Sequence, residues 1–150
     1  MSFEAKLSEL GYTLDPVDLD NGKFVLATQT GNLIFTSGCV PVWGEQSYKG
    51  KIGADLTVDD GYDAAKLATL NCLQAIKQVS GSLDDIVRIV KVFGMVNVAP
   101  DFDNTPGVIH GCSDLLREVF GDVGLHARSA IGLTVPFNFA VEIEMIVEVK

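Results

Sequence analysis

The chain is poor in the residues that announce the commoner chemistries. Only two histidines occur among 150 residues, and neither joins an HxH, an HxxxH or a Cys/His cluster, so a transition-metal site is not expected. The three cysteines, Cys39, Cys72 and Cys112, are odd in number, far apart and without a CxxC pair. That usage fits small buried side chains in a reducing compartment and excludes a disulfide framework. Eleven Lys and Arg stand against twenty Asp and Glu, for a net charge of -9. The basic residues are scattered, so the footprint for a phosphate backbone is missing and nucleic acid is not an expected partner. No stretch approaches the ~20 apolar residues that cross a bilayer. The N-terminal MSFEAKLSEL carries acids where a signal peptide has its apolar core. A membrane partner is therefore not expected, and the cytoplasm is the expected compartment. Gly-rich phosphate loops, GxSxG and P-loop patterns are absent.

What remains is an ordinary globular composition, 47% apolar and 21% charged, in a length that suits one domain over residues 1–150. Ser2 to Leu10 reads as a short helix stopped by Gly11. Phe24 to Gln29 and Leu33 to Ser37 read as strands around the turn Thr30-Gly31-Asn32. The second strand runs into Ser37-Gly38, where glycine admits a close neighbour, and Val40 to Tyr48 reads as loop. Thr57 to Val79 is the clearest helix. Thr57 and Asp60 have capping-box spacing, and the apolar stripe leaves Leu67 and Leu70 outside. Ile86 to Val98 reads as a long strand, with Arg88 and Lys91 on opposite faces by parity, which calls for a bulge or an edge. Pro106 to Phe120 reads as a second helix with Thr105 as its cap and Gly121 as its stop. Arg128 to Val135 and Phe139 to Val149 alternate as strands. The order β-β-α-β-α-β-β predicts an α+β fold, with two main helices on one face of a mixed sheet.

Parity gives each of the last strands two faces. Ser129, Ile131, Leu133 and Val135 are expected toward the helices, leaving Arg128, Ala130, Gly132 and Thr134 on the other side, where small residues would leave room beside a guanidinium. Phe139, Val141, Ile143, Met145, Val147 and Val149 form the expected core face of the last strand. If the two strands pair as a hairpin, Arg128 shares its face with Glu142 and Glu144. Arg128 is then either a strand-end charge met by glutamate or solvent, or the planar fork of a carboxylate site. His126, two residues earlier, is a loop histidine or a proton donor beside that site; His110 reads as a packed or interface histidine. Asp59, Asp60 and Asp63 suit a helix start, and Asp101 and Asp103 a solvated loop.

ARSAIG followed by VPFNFAVEIEMI, together with GNLIFTSGCVPV earlier in the chain, resembles the RidA (YjgF) or L-PSP endoribonuclease family. The likeness spans roughly residues 20–149 and belongs to a subgroup distinct from the well-studied imine deaminases. It implies a chorismate-mutase-like fold and a homotrimer whose sheets form a central barrel, with ligand clefts between subunits. It implies, with no cofactor or metal, hydrolysis of a 2-imino acid to a 2-keto acid and ammonia. By the same resemblance Arg128 holds the ligand's carboxylate, Glu142 positions water, and Ser37 and Gly38 wall the cleft. The family's usual tyrosine is Phe24 here, its cysteine is Ala130, its proline before Ala-Arg is His126, and its helix asparagine falls at Ser113. With a hydroxyl and a thiol gone, two expectations stand: an imine or enamine deaminase acting on a small carboxylate-bearing metabolite, or a trimeric module that binds a 2-keto acid without turnover. The family name also carries ribonuclease and translation-inhibitor readings, which the acidic chain disfavours.

Overall fold

A computed structural model describes residues 1–150. Strands β1 (Ala27–Thr30) and β2 (Leu33–Thr36) form a hairpin. Gly31, first in its two-residue turn, has the positive φ (56°) that such a turn requires. A small hairpin, β3 (Val42–Trp43) and β4 (Gln46–Ser47), interrupts the segment expected to be loop. The long strand β5 (Ile86–Asn97) is flanked by β6 (Ala127–Leu133) and β7 (Val141–Val149). The main sheet runs β1-β2-β7-β5-β6. β7 pairs antiparallel with β2 and β5, while β6 pairs parallel with β5 and forms the free edge.

Three helices cover one face. α1 (Phe3–Glu9) is capped by Ser2 and packs Phe3 against Phe120, ring centroids 4.6 Å apart. α2 (Val58–Ser80) carries the expected capping box between Thr57 and Asp60. Leu67 and Leu70 are nonetheless buried, because α2 packs on the sheet, alongside α3 and under the β3 segment, and is covered on more than the one stripe. α3 (Thr105–Phe120) starts one residue earlier than expected. Its cap is Asn104, whose side chain accepts from Gly107 N, not Thr105. Thr105 instead donates to the Ala130 carbonyl at 2.9 Å and ties the head of α3 to β6. The expected bulge in β5 is present, with register shifts between Ile86 and Arg88 and between Ile89 and Lys91. No helix is long and apolar enough to cross a membrane.

The β6–β7 hairpin does not form. β5, α3 and β6 make a parallel β-α-β unit, and β5 lies between the two strands. Buried Asn97, at the end of β5, directs the chain around it. Its Oδ1 accepts from Val135 N (3.2 Å), its Nδ2 donates to Asn138 Oδ1 (3.0 Å) and Gly50 O (2.9 Å), and its backbone N–H donates to Ala140 O (2.9 Å). The segment between β6 and β7 thus passes across the tip of β5 instead of turning back.

The expected faces of β6 are inverted for the same reason. In the parallel register Arg128 lies beside Val92, Ala130 beside Gly94 and Gly132 beside Val96; Val92 and Val96 are fully buried. Arg128, Ala130 and Gly132 therefore point toward the helices, and Ile131 (42% exposed) points to the open face. Gly94 and Gly132 give α3 and its approach room to lie close on this face. A Cβ on Gly94 would come within 2.6 Å of Ile109, and one on Gly132 within 3.4 Å of Thr105. β7 follows its expected parity from Val141 to Val149, although Phe139 precedes the strand and is only half-buried.

Candidate functional site

Arg128 rises from the free edge strand against the flank of α3. Its Nη1 donates to Ser113 Oγ at 3.1 Å and to His110 Nδ1 at 3.0 Å. Both hydrogens of Nη1 are thus used, while the hydrogen bonds of Arg128 leave Nε and Nη2 uncommitted. The only ion pairs in the protein are Lys6–Glu9 and Arg117–Asp122, so no carboxylate of its own chain meets this guanidinium. That decides between the two sequence readings in one respect. Arg128 is not a charge paired with a glutamate, but an oriented cation held by neutral acceptors.

Ser113 and His110 lie three residues apart and hence on one side of α3. Ser113 Oγ also meets His126 Nε2 at 2.9 Å, and His126 Nδ1 meets the Gly124 carbonyl at 2.7 Å. Gly124 belongs to the short 3-10 turn Gly121–Gly124 that follows α3. The string Gly124–His126–Ser113–Arg128–His110 is continuous. His110, expected as a packed or interface histidine, is exposed in the single chain and touches Arg128. Its spacing from Ser113 was the signal that could have found it. Cys112, next to Ser113 but turned inward, is fully buried, and burial pushes its thiol up to about 12 against the opposing pull of Thr69 and Arg128. It is no nucleophile at neutral pH.

Ser37, Gly38 and Glu142 gather at a second place. Ser37 donates from Oγ to the Val25 carbonyl at 2.6 Å and from N to the Leu26 carbonyl at 2.8 Å, fixing the turn after β2. A Cβ on Gly38 would fall 2.6 Å from Glu142 Oε2, so the glycine is what lets the carboxylate lie over this turn. Desolvation, and secondarily the charge of Glu144, raises the Glu142 pKa above the usual carboxylate range. A carboxylate held nearer to neutrality is better suited to take a proton from water. Phe24 precedes β1 instead of lying in it and is 57% exposed.

The two groups do not meet within one chain. Glu142 lies opposite Met95 and Arg128 opposite Val92, two strands apart and on opposite faces. Strand spacing and rise put their Cα atoms roughly 14 Å apart. Two hollows open on the single chain near these groups. One is on the open sheet face, bordered by Phe35, Lys91, Phe93, Glu144 and Ile146. Another runs between the Gly38 turn and α2, past Val17, Leu26, Val42 and Asn71.

Residues 4–148 match the family model described as "YjgF/chorismate_mutase-like, putative endoribonuclease". Protein TCP17 of Trypanosoma cruzi is 36% identical over 97% of this chain and 93% of its own length. The crystal structure of Atu1372 from Agrobacterium tumefaciens, a protein of unknown function, superposes with a TM-score of 0.91 at 37% identity, over 99% of this chain and 92% of that one. Escherichia coli TdcF, solved with bound serine, shares the fold at a TM-score of 0.59 and 23% identity, over 91% of this chain and 94% of its own.

Proposed function

Because this chain belongs to the YjgF/chorismate-mutase-like family, we propose that it hydrolyses small reactive imine or enamine intermediates, 2-imino acids above all, to 2-keto acids and ammonia. The proposed site is a cleft between subunits of a cytoplasmic homotrimer. The observation that carries the reading is the state of Arg128, a guanidinium tethered through Nη1 alone with no carboxylate of its own chain to neutralise it. Its remaining edge offers two parallel N–H donors, the geometry a ligand carboxylate accepts bidentately. The serine bound to E. coli TdcF is a small molecule of that class.

In this reading the Glu142–Gly38 group of one protomer lies against the Arg128 edge of the next. Glu142, its proton affinity already raised, takes a proton from water as the oxygen adds to the carbon of the protonated imine, and later returns that proton to solvent. The resulting amino alcohol loses ammonia to leave the 2-keto acid. Ser37 fixes the Gly38 wall, and Phe24, Ser113, His126 and Ala130 border the substrate.

A second reading is favoured by Phe24 and Ala130, which lack the family's hydroxyl and thiol: a trimeric module that captures a 2-keto acid without turnover. Ammonia release from 2-iminobutanoate generated in the cuvette separates the two. Accelerated release supports the deaminase. Tight binding of 2-ketobutyrate without acceleration supports the module. Arg128→Ala abolishes binding in both, and undiminished affinity in that variant would remove Arg128 from the site.

A further inference from the structure

Two of the three thiols converge on one backbone group. The Ile143 carbonyl accepts from Cys39 N at 2.7 Å and from Cys72 Sγ at 3.3 Å. Two donors on one oxygen lie within a few ångströms of each other. The side chains also share a layer. Cys39 bridges Ile143 across the sheet and is buried with it on the face that α2 covers, and Cys72 comes down onto that face from α2. The remaining sulfur contacts frame one turn. Thr36 Oγ1 donates to Cys72 Sγ at 3.8 Å, and Cys39 Sγ donates to the Ser37 carbonyl at 3.5 Å. Burial first, and the adjoining Cys39 thiol second, raise the Cys72 pKa well above the ordinary thiol value.

The two thiols differ in access. Cys72 is fully enclosed, whereas Cys39 lines the hollow of about 320 Å³ between the Gly38 turn and α2. Hydrogen peroxide is little larger than water, whose share of liquid volume is about 30 Å³, and such a space admits it. The walls of Val17, Leu26 and Val42 lead it to one sulfur only. Cys112 is fully buried and borders neither the hollow nor the turn.

We propose that Cys39 and Cys72 are a peroxide-oxidisable dithiol that closes into a disulfide within the chain and clamps the Gly38 turn to α2. Cys39 Sγ attacks one peroxide oxygen. The S–O bond forms, the O–O bond breaks, and the thiol proton leaves with the departing hydroxide as water. Cys72 Sγ then displaces the hydroxyl of the resulting sulfenic acid. The S–S bond forms, the S–O bond breaks, and the Cys72 proton leaves in a second water. Both sulfurs are oxidised, and one peroxide is reduced to two waters. A small dithiol reverses the change by exchange. Gly38 precedes Cys39 and carries Glu142 against it, so the clamp acts on a wall of the proposed cleft, but the pairing itself does not depend on the deaminase reading.

The test exposes native wild type, Cys39→Ala, Cys72→Ala and Cys112→Ala to hydrogen peroxide. Wild type and Cys112→Ala should each lose two hydrogens from the intact chain, regained with dithiothreitol. Peptide mapping without reductant should find Cys39 joined to Cys72. With dimedone present to trap sulfenic acid, Cys72→Ala should be labelled on Cys39 and Cys39→Ala should stay unlabelled. Oxidised wild type should melt about 5 °C or more above the reduced form, since the bridge closes a long loop. Three free thiols after a treatment that oxidises the urea-unfolded chain would overturn the proposal. So would a bridge to Cys112 or between chains, dimedone on Cys72 in place of Cys39, or a melting point that oxidation leaves unchanged.

Discussion

A guanidinium fastened by one nitrogen to a serine and a histidine can neither swing away from a ligand nor be neutralised by its own chain. Arg128→Lys isolates what the planar fork contributes. The charge stays, but the paired donors and the Ser113–His110 tether are lost. Since a hydrogen bond to a charged group is worth about 1.5–3 kcal/mol, 2-ketobutyrate affinity should fall roughly 10- to 100-fold, read by calorimetry. Unchanged affinity would make Arg128 a point charge only. Glu142 gives a prediction of the opposite kind. Its raised pKa means that the folded chain keeps a proton that the unfolded chain has lost. The penalty is absent below the unfolded carboxyl value of about 4.3, grows as pH climbs toward the folded value, and is full above it. Glu142→Gln should therefore be more stable than wild type at neutral pH and equal to it in acid, by urea unfolding at fixed concentration. An equal gain at both pH values would trace the effect to something other than ionisation. Strand parity singled out Arg128 and Glu142, and Ser113 entered only through resemblance to the family's motif. Which way Arg128 faces was not legible, since parity orders the two faces of a strand without saying which one meets the helices.

The elements were largely legible, because each is marked by local chemistry. Thr57 and Asp60 announce α2, β-branched residues mark β5, and Gly121 ends α3 at a φ of 60°. Pairing was less so. A short segment with a proline between two alternating runs reads as a hairpin. The device that prevents one is a single buried asparagine 36 residues before β6 ends, and nothing local to Asn97 distinguishes it from any polar strand residue. Close packing has the same non-local character. A methyl on Gly111 would overlap the Tyr62 backbone carbonyl, whereas one on Gly107 would meet only the Asn104 side chain. Backbone cannot step aside as a side-chain tip can. Gly111→Ala should therefore force α2 and α3 apart and cost about 3 kcal/mol, at or above the upper end of ordinary overpacking. Gly107→Ala should cost about 1 kcal/mol through the cap it disturbs. Similar midpoints for the two in thermal unfolding would refute the close crossing of α2 and α3 at this point.

At the scale of the whole molecule, one surface lacks an explanation within the chain. Helices cover one side of the sheet, yet the other side presents Phe35, Phe93, Met95, Ile131 and Ile146, among the charges of Lys91, Glu144 and Glu148. The register puts Phe93 between Ser129 and Glu144, near the middle of that face. Contiguous apolar area of this sort on a small domain marks an interface, and a closed ring of identical chains covers it without leaving a free copy. The proposed homotrimer also accounts for the separation of Arg128 and Glu142, since residues on opposite faces of one sheet can converge only across a seam between two. Phe93→Asp tests both consequences together. The ring is only half-buried in the single chain, so the variant should keep its fold by circular dichroism. By sedimentation it should fall from a trimer of 16.1 kDa chains to monomers. It should also lose 2-ketobutyrate binding, although Arg128 lies on the other face and is untouched. A folded Phe93→Asp monomer that binds with native affinity would put the whole site inside one protomer, and a wild type that sediments as a monomer would leave the apolar face without the role assigned to it.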